Sequence, residues 1–260
     1  MSLPDHHPDS TRGWALVTGA TAGIGLEFAR QLAARGHDLV LVARDAERLA
    51  LVADELRLTG REVEVLPADL TDRDQLAAVE TRVADPNRPV EVLVNNAGFG
   101  LKGRFLDNDV DDEERMLDLL VAAPLRLSHA ALRAQTARGR GGIINVSSVA
   151  AFLPRGTYSA AKMYLNRFGE WAAAEYGPRG LTVMTLCPGF VKTEFHQRMG
   201  VQRGSGFLWL EADFLVGQAL TDFDHGRVFS VPGRQYQAIR AATSIIPTRA
   251  LQRFQSMGRK

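Results

Sequence analysis

The chain has 260 residues, of which 45% are apolar and 23% charged, a balance that folds into a globule rather than a disordered chain. Its 31 basic and 30 acidic residues almost cancel, so the footprint of a nucleic-acid-binding protein is missing. The one cysteine, Cys187, cannot close an internal disulfide; it reads as a small buried residue and fits a reducing, cytoplasmic setting.

Residues 1–13 are polar and rich in Pro, His and Asp, and are expected to form a disordered leader rather than a signal peptide. No stretch reaches the roughly 18 apolar residues of a membrane span. The first apolar run, Trp14 to Thr18, stops at Gly19 and reads as a strand. A helical pattern follows, with Ile24, Phe28, Leu32 and Ala33 at three- and four-residue steps, and Gly36 ends it. Residues 38–43 are almost all apolar, as in a parallel strand covered on both faces. Asp45 can cap the next helix, whose apolar face is Leu49, Val52 and Leu56, with Gly60 closing it. The alternation continues with strands at 62–66, 90–94, 142–146, 181–186 and 227–231, and helices at 71–84, 111–138 and 158–176. This rhythm predicts an α/β fold: a doubly wound parallel β-sheet of the Rossmann type, with helices on both faces and no linker dividing residues 14–260.

Between the first strand and first helix stands Gly19-Ala20-Thr21-Ala22-Gly23-Ile24-Gly25. Glycines there let the backbone turn sharply and approach a pyrophosphate, while the helix start offers free N–H groups and a positive dipole end. Position after a buried strand is the context that makes such glycines more than a turn. The spacing, with Thr18 before it, resembles the TGxxxGIG signature of the short-chain dehydrogenases/reductases. Four further motifs are similar to that family's: Asn95-Asn96-Ala97-Gly98, Ser147-Ser148, Tyr158-x-x-x-Lys162, and Pro188-Gly189 through Val191 to Thr193.

The resemblance implies a nicotinamide cofactor held by Gly19, Thr21, Ala22, Gly23, Ile24 and Gly25 at the turn. It adds Asp69 and Leu70 beside the adenine, with Asn96, Ala97, Gly98, Pro188, Gly189, Val191 and Thr193 further along. An acidic residue closing the second strand would select NAD through the ribose 2′-OH, but the strand ends in Arg44, whose guanidinium suits a 2′-phosphate. NADP(H) is therefore the expected cofactor, with Asp45 a second residue within reach of the ribose. Ala22 stands where many NADP-preferring relatives carry a basic residue.

Tyr158 and Lys162 are four apart and share a helix face. An ammonium beside the phenol would lower its pKa, so that Tyr158 can exchange a proton with a substrate oxygen. The resemblance makes Lys162 a ligand of the nicotinamide ribose as well, and Tyr158 its neighbour there. It makes Ser148 the hydroxyl that polarises the substrate carbonyl, with Ser147 a live alternative. Two departures from the family pattern stand out. Ser148 and Tyr158 are about three residues closer than in relatives, and Leu120 replaces the usual asparagine of the catalytic tetrad. Pro124, four residues on, has no N–H for the Leu120 carbonyl, which we expect to leave that carbonyl free for a relay water.

Residues 194–226 are expected to contain a substrate lid, with Phe195, Met199, Phe207, Leu208, Trp209 and Leu210 suggesting an apolar small-molecule substrate. Tyr164, Phe168 and Trp171 form a stripe that reads as core, or as part of the homodimer or homotetramer interface that relatives build from these helices. Residues 236–260 read as an amphipathic helical tail interrupted by Pro247. It covers the protein's own surface, weak membrane-surface contact being the lesser reading. The six histidines have no metal-binding spacing. The expected function is an NADP(H)-dependent oxidoreductase of carbonyl or alcohol groups, the alternative an NADP(H)-binding scaffold or sensor with little catalysis.

Overall fold

A computed structural model describes residues 12–193, 206 and 208–245. Seven parallel strands stand in the order β3-β2-β1-β4-β5-β6-β9. They are β1 (Trp14–Thr18), β2 (Asp38–Ala43), β3 (Val63–Pro67), β4 (Val90–Asn95), β5 (Gly141–Val146), β6 (Leu181–Leu186) and β9 (Phe229–Ser230). Two short strands, β7 (Phe190–Val191) and β8 (Trp209–Leu210), pair apart from this sheet.

Alternation of side chains along each strand divides the apolar residues between two cores. On one face, Ala15, Val17, Leu39, Leu41, Val94 and Ile144 meet helices α1 (Gly23–Ala34), α2 (Ala46–Arg57) and α7 (Ala212–Asp224). On the other, Leu16, Val40, Val42, Leu93 and Ile143 meet α3 (Arg73–Val83), α5 (Ala123–Arg138) and α6 (Thr157–Tyr176). Both faces are covered, which is why β1 and β2 read as nearly continuous apolar runs, whereas Glu64 and Glu91 interrupt β3 and β4.

Local chemistry sets the helix starts. Asp45 accepts the Arg48 N–H at 3.0 Å, and Asp72 accepts those of Asp74 and Gln75 at 3.0 Å each. Capping thus occupies the Asp45 carboxylate, which weighs against its expected reach to a ribose. The helix expected over 111–138 is broken. It comprises α4 (Val110–Leu117), a π turn (Asp118–Ala122) and α5. At the break the Ala123 N–H donates five residues back, to Asp118 O, and Pro124 in the first turn of α5 brings no N–H of its own.

Other expectations shift in extent. Of the leader, 1–11 lies outside the described residues, while the Arg12 N–H donates to Gly36 O at 3.0 Å, so the leader's last residues join the fold. The last strand shrinks to the two residues that pair with Thr185 and Leu186. Within the stretch expected to be a lid, α7 is instead the crossover helix between β6 and β9, with Leu215, Val216, Ala219 and Leu220 buried. Phe195, Met199 and Phe207 lie outside the described residues. The tail begins as α8 (Arg234–Ile245), and Pro247 and the residues beyond it also lie outside.

Candidate active site

The sheet order reverses direction between β1 and β4, and open parallel sheets form their ligand crevice at such a point, beyond the carboxyl ends of the strands. Hydrogen bonds bind the two strand ends together. The Thr18 hydroxyl accepts the N–H groups of Asn96 and Ala97, each at 3.0 Å, and the Asn96 amide donates to Thr18 O at 2.8 Å. Gly19 has a φ of +68°, and a methyl at Gly25 would lie 2.2 Å from Gly19 O, so α1 starts in contact with the turn. Ala22 caps α1 with no side-chain hydrogen bond, so no N-cap side chain occupies the positive end of the helix. On the opposite wall Thr193 meets Gly23, where an added methyl would come within 3.0 Å of the threonine Cβ. Ile24 and Val191 turn their side chains into the core, so only their backbone is offered to the crevice.

At the far end of the crevice Arg44 is two-thirds exposed, with its guanidinium 3.9 Å from the Asp69 carboxylate. Burial raises the Asp69 carboxyl, but the N–H and hydroxyl of Thr71, with Arg115 and Arg44, outweigh it and hold the group below the ordinary range. That carboxylate therefore already serves a turn and two arginines. Leu70 is a core residue, so its side chain does not face the crevice.

A second arginine, unremarked in the sequence, arrives from α2. The Arg48 guanidinium donates to Thr21 O at 3.2 Å, across the glycine turn. Helical side chains lean toward the N-terminus, which brings a first-turn residue of α2 over the carboxyl ends of β1 and β2. A signal existed, since a cation in a helix's first turn opposes the dipole and asks for another reason to be there.

The reacting end is built from β5, the turn after it and α6. Ser148 caps the 3-10 turn Val149–Phe152, its hydroxyl accepting the Ala150 N–H at 3.1 Å, and it also hydrogen-bonds Tyr158. Ser147 is spent elsewhere, donating to Lys162 O at 2.9 Å inside α6. Of the two serines, Ser148 is thus the one beside the phenol, despite the shortened loop.

Lys162 is buried, its ammonium donating to Val146 O at 2.8 Å and lying 5.8 Å from the centre of the Tyr158 ring. Burial pulls its pKa down to about 8, against a smaller opposing pull from Cys187. Burial also pushes the Tyr158 phenol up to about 12, with the Ser148 hydrogen bond working weakly the other way. The expectation that Lys162 lowers the phenol's pKa is corrected here: the ammonium is aimed at a backbone carbonyl, and desolvation dominates both groups.

Leu120 sits at the π turn, buried, with its Cδ2 2.8 Å from where a Gly98 methyl would be. That same methyl would lie 3.8 Å from Lys162 Nζ, so Leu120, Gly98 and Lys162 form one contiguous wall. Phe99, Leu101 and Val121 pack around this wall beside Tyr158. Val149, Phe152, Phe190 and Leu208 make a second apolar group after β5 and β6. Among the described residues no three His, Cys, Asp or Glu side chains gather as metal ligands, and no helix is long and apolar enough to cross a membrane.

Residues 13–203 match the model of the family described as short chain dehydrogenase. The chain is 30% identical to gluconate 5-dehydrogenase of Gluconobacter oxydans over 248 residues, which cover 87% of this chain and 97% of that protein. Among solved structures, a short-chain dehydrogenase from Sphingobium yanoikuyae in complex with NADPH superposes with a TM-score of 0.82 at 35% identity, covering 90% of this chain and 96% of that one. A bulky-bulky ketone specific alcohol dehydrogenase from Comamonas testosteroni gives a TM-score of 0.79 at 31% identity, over 92% and 96% of the two chains.

Proposed function

The chain belongs to the short-chain dehydrogenase/reductase family and is an NAD(P)(H)-dependent oxidoreductase of carbonyl or alcohol groups, and from that premise we propose that it uses NADP(H) on an apolar small molecule. One observation carries the catalytic part: Ser148 hydrogen-bonded to Tyr158, with the buried Lys162 ammonium against the same ring.

The uncapped start of α1 fits a pyrophosphate, with the backbone of Gly19, Thr21, Ala22, Gly23, Ile24 and Gly25 around it. Arg44 and Arg48 would hold a 2′-phosphate, an assignment supported by the exposed Arg44 guanidinium beside Asp69 and by the Arg48 guanidinium lying across the glycine turn at Thr21 O. Asp69 and the backbone of Leu70 flank that end. Asn96, Ala97 and Gly98, then Pro188, Gly189, Val191 and Thr193, line the remainder, with Tyr158 and Lys162 reaching the nicotinamide ribose. When bound, the nicotinamide supplies or accepts the hydride.

The protein's own part is proton and charge handling. With its phenol at about 12, Tyr158 is protonated at neutral pH and acts as the acid that gives its proton to the substrate oxygen. Ser148 donates a hydrogen bond to that oxygen as negative charge grows on it. Lys162 is charged below about pH 8, and its ammonium, 5.8 Å from the centre of the Tyr158 ring, would serve the ribose beside it. Phe99 and Leu101 on one side and Phe152 and Phe190 on the other suit an apolar ketone or aldehyde.

Leu120 in the asparagine position favours a second reading, an NADP(H)-binding scaffold or sensor with little catalysis. We further propose a homodimer or homotetramer through α5 and α6. Leu125 and Trp171 stay 45% and 54% exposed there, and Tyr164, Phe168 and Trp171 form a ladder with ring centres 5.9 and 5.8 Å apart, the first pair stacked and the second tilted. The functional test is titration with NADPH and NADH, followed by NADPH consumption with a panel of apolar ketones and aldehydes. Tighter binding of NADPH with turnover supports the first reading; tight binding without turnover supports the second; equal binding of both nucleotides contradicts the NADP(H) assignment.

A further inference from the structure

Tyr236 belongs to none of the motifs, yet it is among the largest fully buried side chains of the molecule. It stands in the first turn of α8, where its N–H closes on Gly233 O at 3.0 Å. Its hydroxyl makes two bonds in opposite directions. It donates to Leu208 O, and it accepts the Phe190 N–H at 2.8 Å.

Those partners lie on two short limbs of the chain. Phe190 begins β7, directly after Pro188-Gly189, and Leu208 immediately precedes β8. The limbs pair in parallel as Phe190 with Trp209 and Val191 with Leu210, and the Phe190 and Trp209 rings sit 5.3 Å apart. Lys192 N donates to Leu210 O at 3.0 Å. A two-residue pairing is weak alone, and the tyrosine adds a fork that bonds both limbs at once.

The ring does a second job. A methyl on Gly189 would fall 1.9 Å from the Tyr236 Cζ and 2.1 and 2.3 Å from its Cε atoms. Gly189 is therefore required by the tyrosine face that covers it, whatever else approaches the turn. Three residues beyond Phe190, Thr193 meets Gly23 of the glycine turn.

We infer that Tyr236 is a positioning residue: its ring and forked hydroxyl fix the Pro188–Thr193 loop and the β8 limb beside it in the shape that the nicotinamide end of the cofactor requires. The inference rests on the reading of that loop as cofactor-binding. A loop already in its bound shape spares the ordering cost of binding, so loosening it weakens the cofactor without touching the reacting atoms.

Tyr236→Phe keeps the ring over Gly189 and removes both bonds, leaving a buried N–H and carbonyl without their partner. The readout compares NADPH with adenosine 2′,5′-bisphosphate, which has the adenosine end and lacks the nicotinamide. The variant is expected to bind NADPH about 10-fold more weakly while holding the bisphosphate within about twofold of wild type. A merely structural tyrosine would shift the melting temperature and leave that ratio alone. Gly189→Ala, which displaces the ring, is the second variant and should give the same split. Combined with Tyr236→Phe it should add less than its separate effect, because both act on one contact. Unchanged NADPH affinity in both variants overturns the inference, as does an equal loss for the two ligands. Failure of the wild-type protein to bind NADPH overturns the cofactor reading itself, and the inference with it.

Discussion

Replacing Lys162 by methionine separates what the buried ammonium does for catalysis from what it does to the fold. In the folded protein its pKa falls from 10.5 to about 8, because burial disfavours the charged form. That displacement corresponds to roughly 3 kcal/mol against folding with the charge in place. Methionine cannot make the bond to Val146 O, 2.8 Å away, and its loss costs the variant roughly 1 kcal/mol. Methionine, unbranched and of similar length, should therefore make the protein more stable at pH 7 by about 2 kcal/mol. The unfolded lysine keeps its proton up to about 10.5 while the folded one gives it up near 8, so wild-type stability climbs between those values and the variant's does not. Near pH 10.5 the advantage of methionine should be gone. Urea unfolding of both proteins at pH 7 and pH 10 reads this difference directly. Activity of the variant at pH 7 should fall on the order of 10²- to 10⁴-fold, the share of a group that serves proton transfer. A variant destabilised equally at both pH values would refute the reasoning, for then burial is not what governs Lys162.

Three other outcomes follow from the site. Arg44→Asp should raise the KM for NADPH about 100-fold with little change for NADH, and Arg48→Ala should raise it about 10-fold, the usual range for one charged hydrogen bond; equal effects on the two nucleotides would sink the assignment of either arginine. Pro124→Ala returns an N–H to the chain opposite the Leu120 carbonyl, and should slow the reaction and move its pH profile; unchanged rate and profile would show that the π turn, not the proline, sets that carbonyl. Trp171→Glu should convert the protein to monomers in sedimentation velocity, whereas an unchanged mass would make the aromatic ladder a matter of internal packing.

Strands β1 and β2 are legible because parallel strands buried on both faces leave nearly unbroken apolar runs, bounded here by Gly19 and Arg44, while β3 to β6 show through their alternation with helices. The last strand was overextended because only Phe229 and Ser230 find a partner, which residue type alone does not reveal. The break in the 111–138 helix has a sign in Pro124, but the five-residue step from Ala123 back to Asp118 has no local signature in the sequence. Asp45, Asp69 and Leu70 were placed by position, yet capping, a turn and the core have the first claim on their side chains. The phenol of Tyr158 was misjudged for a related reason. Spacing brings a lysine near, but the direction of its ammonium and the depth of burial are tertiary properties. Arg48 and Tyr236 act across 27 and 46 residues of sequence, on Thr21 and Phe190, so no local pattern pairs them with their partners.

The central claim is that Tyr158 supplies the proton in a crevice that binds NADP(H). NADPH affinity and NADPH consumption with an apolar ketone, measured in parallel for wild type and Tyr158→Phe, test it most directly. The phenylalanine keeps the ring against Lys162 and loses only the hydroxyl that Ser148 meets. NADPH should bind within about threefold of wild type, and turnover should fall by at least about 10²-fold. Turnover that survives the substitution would contradict it.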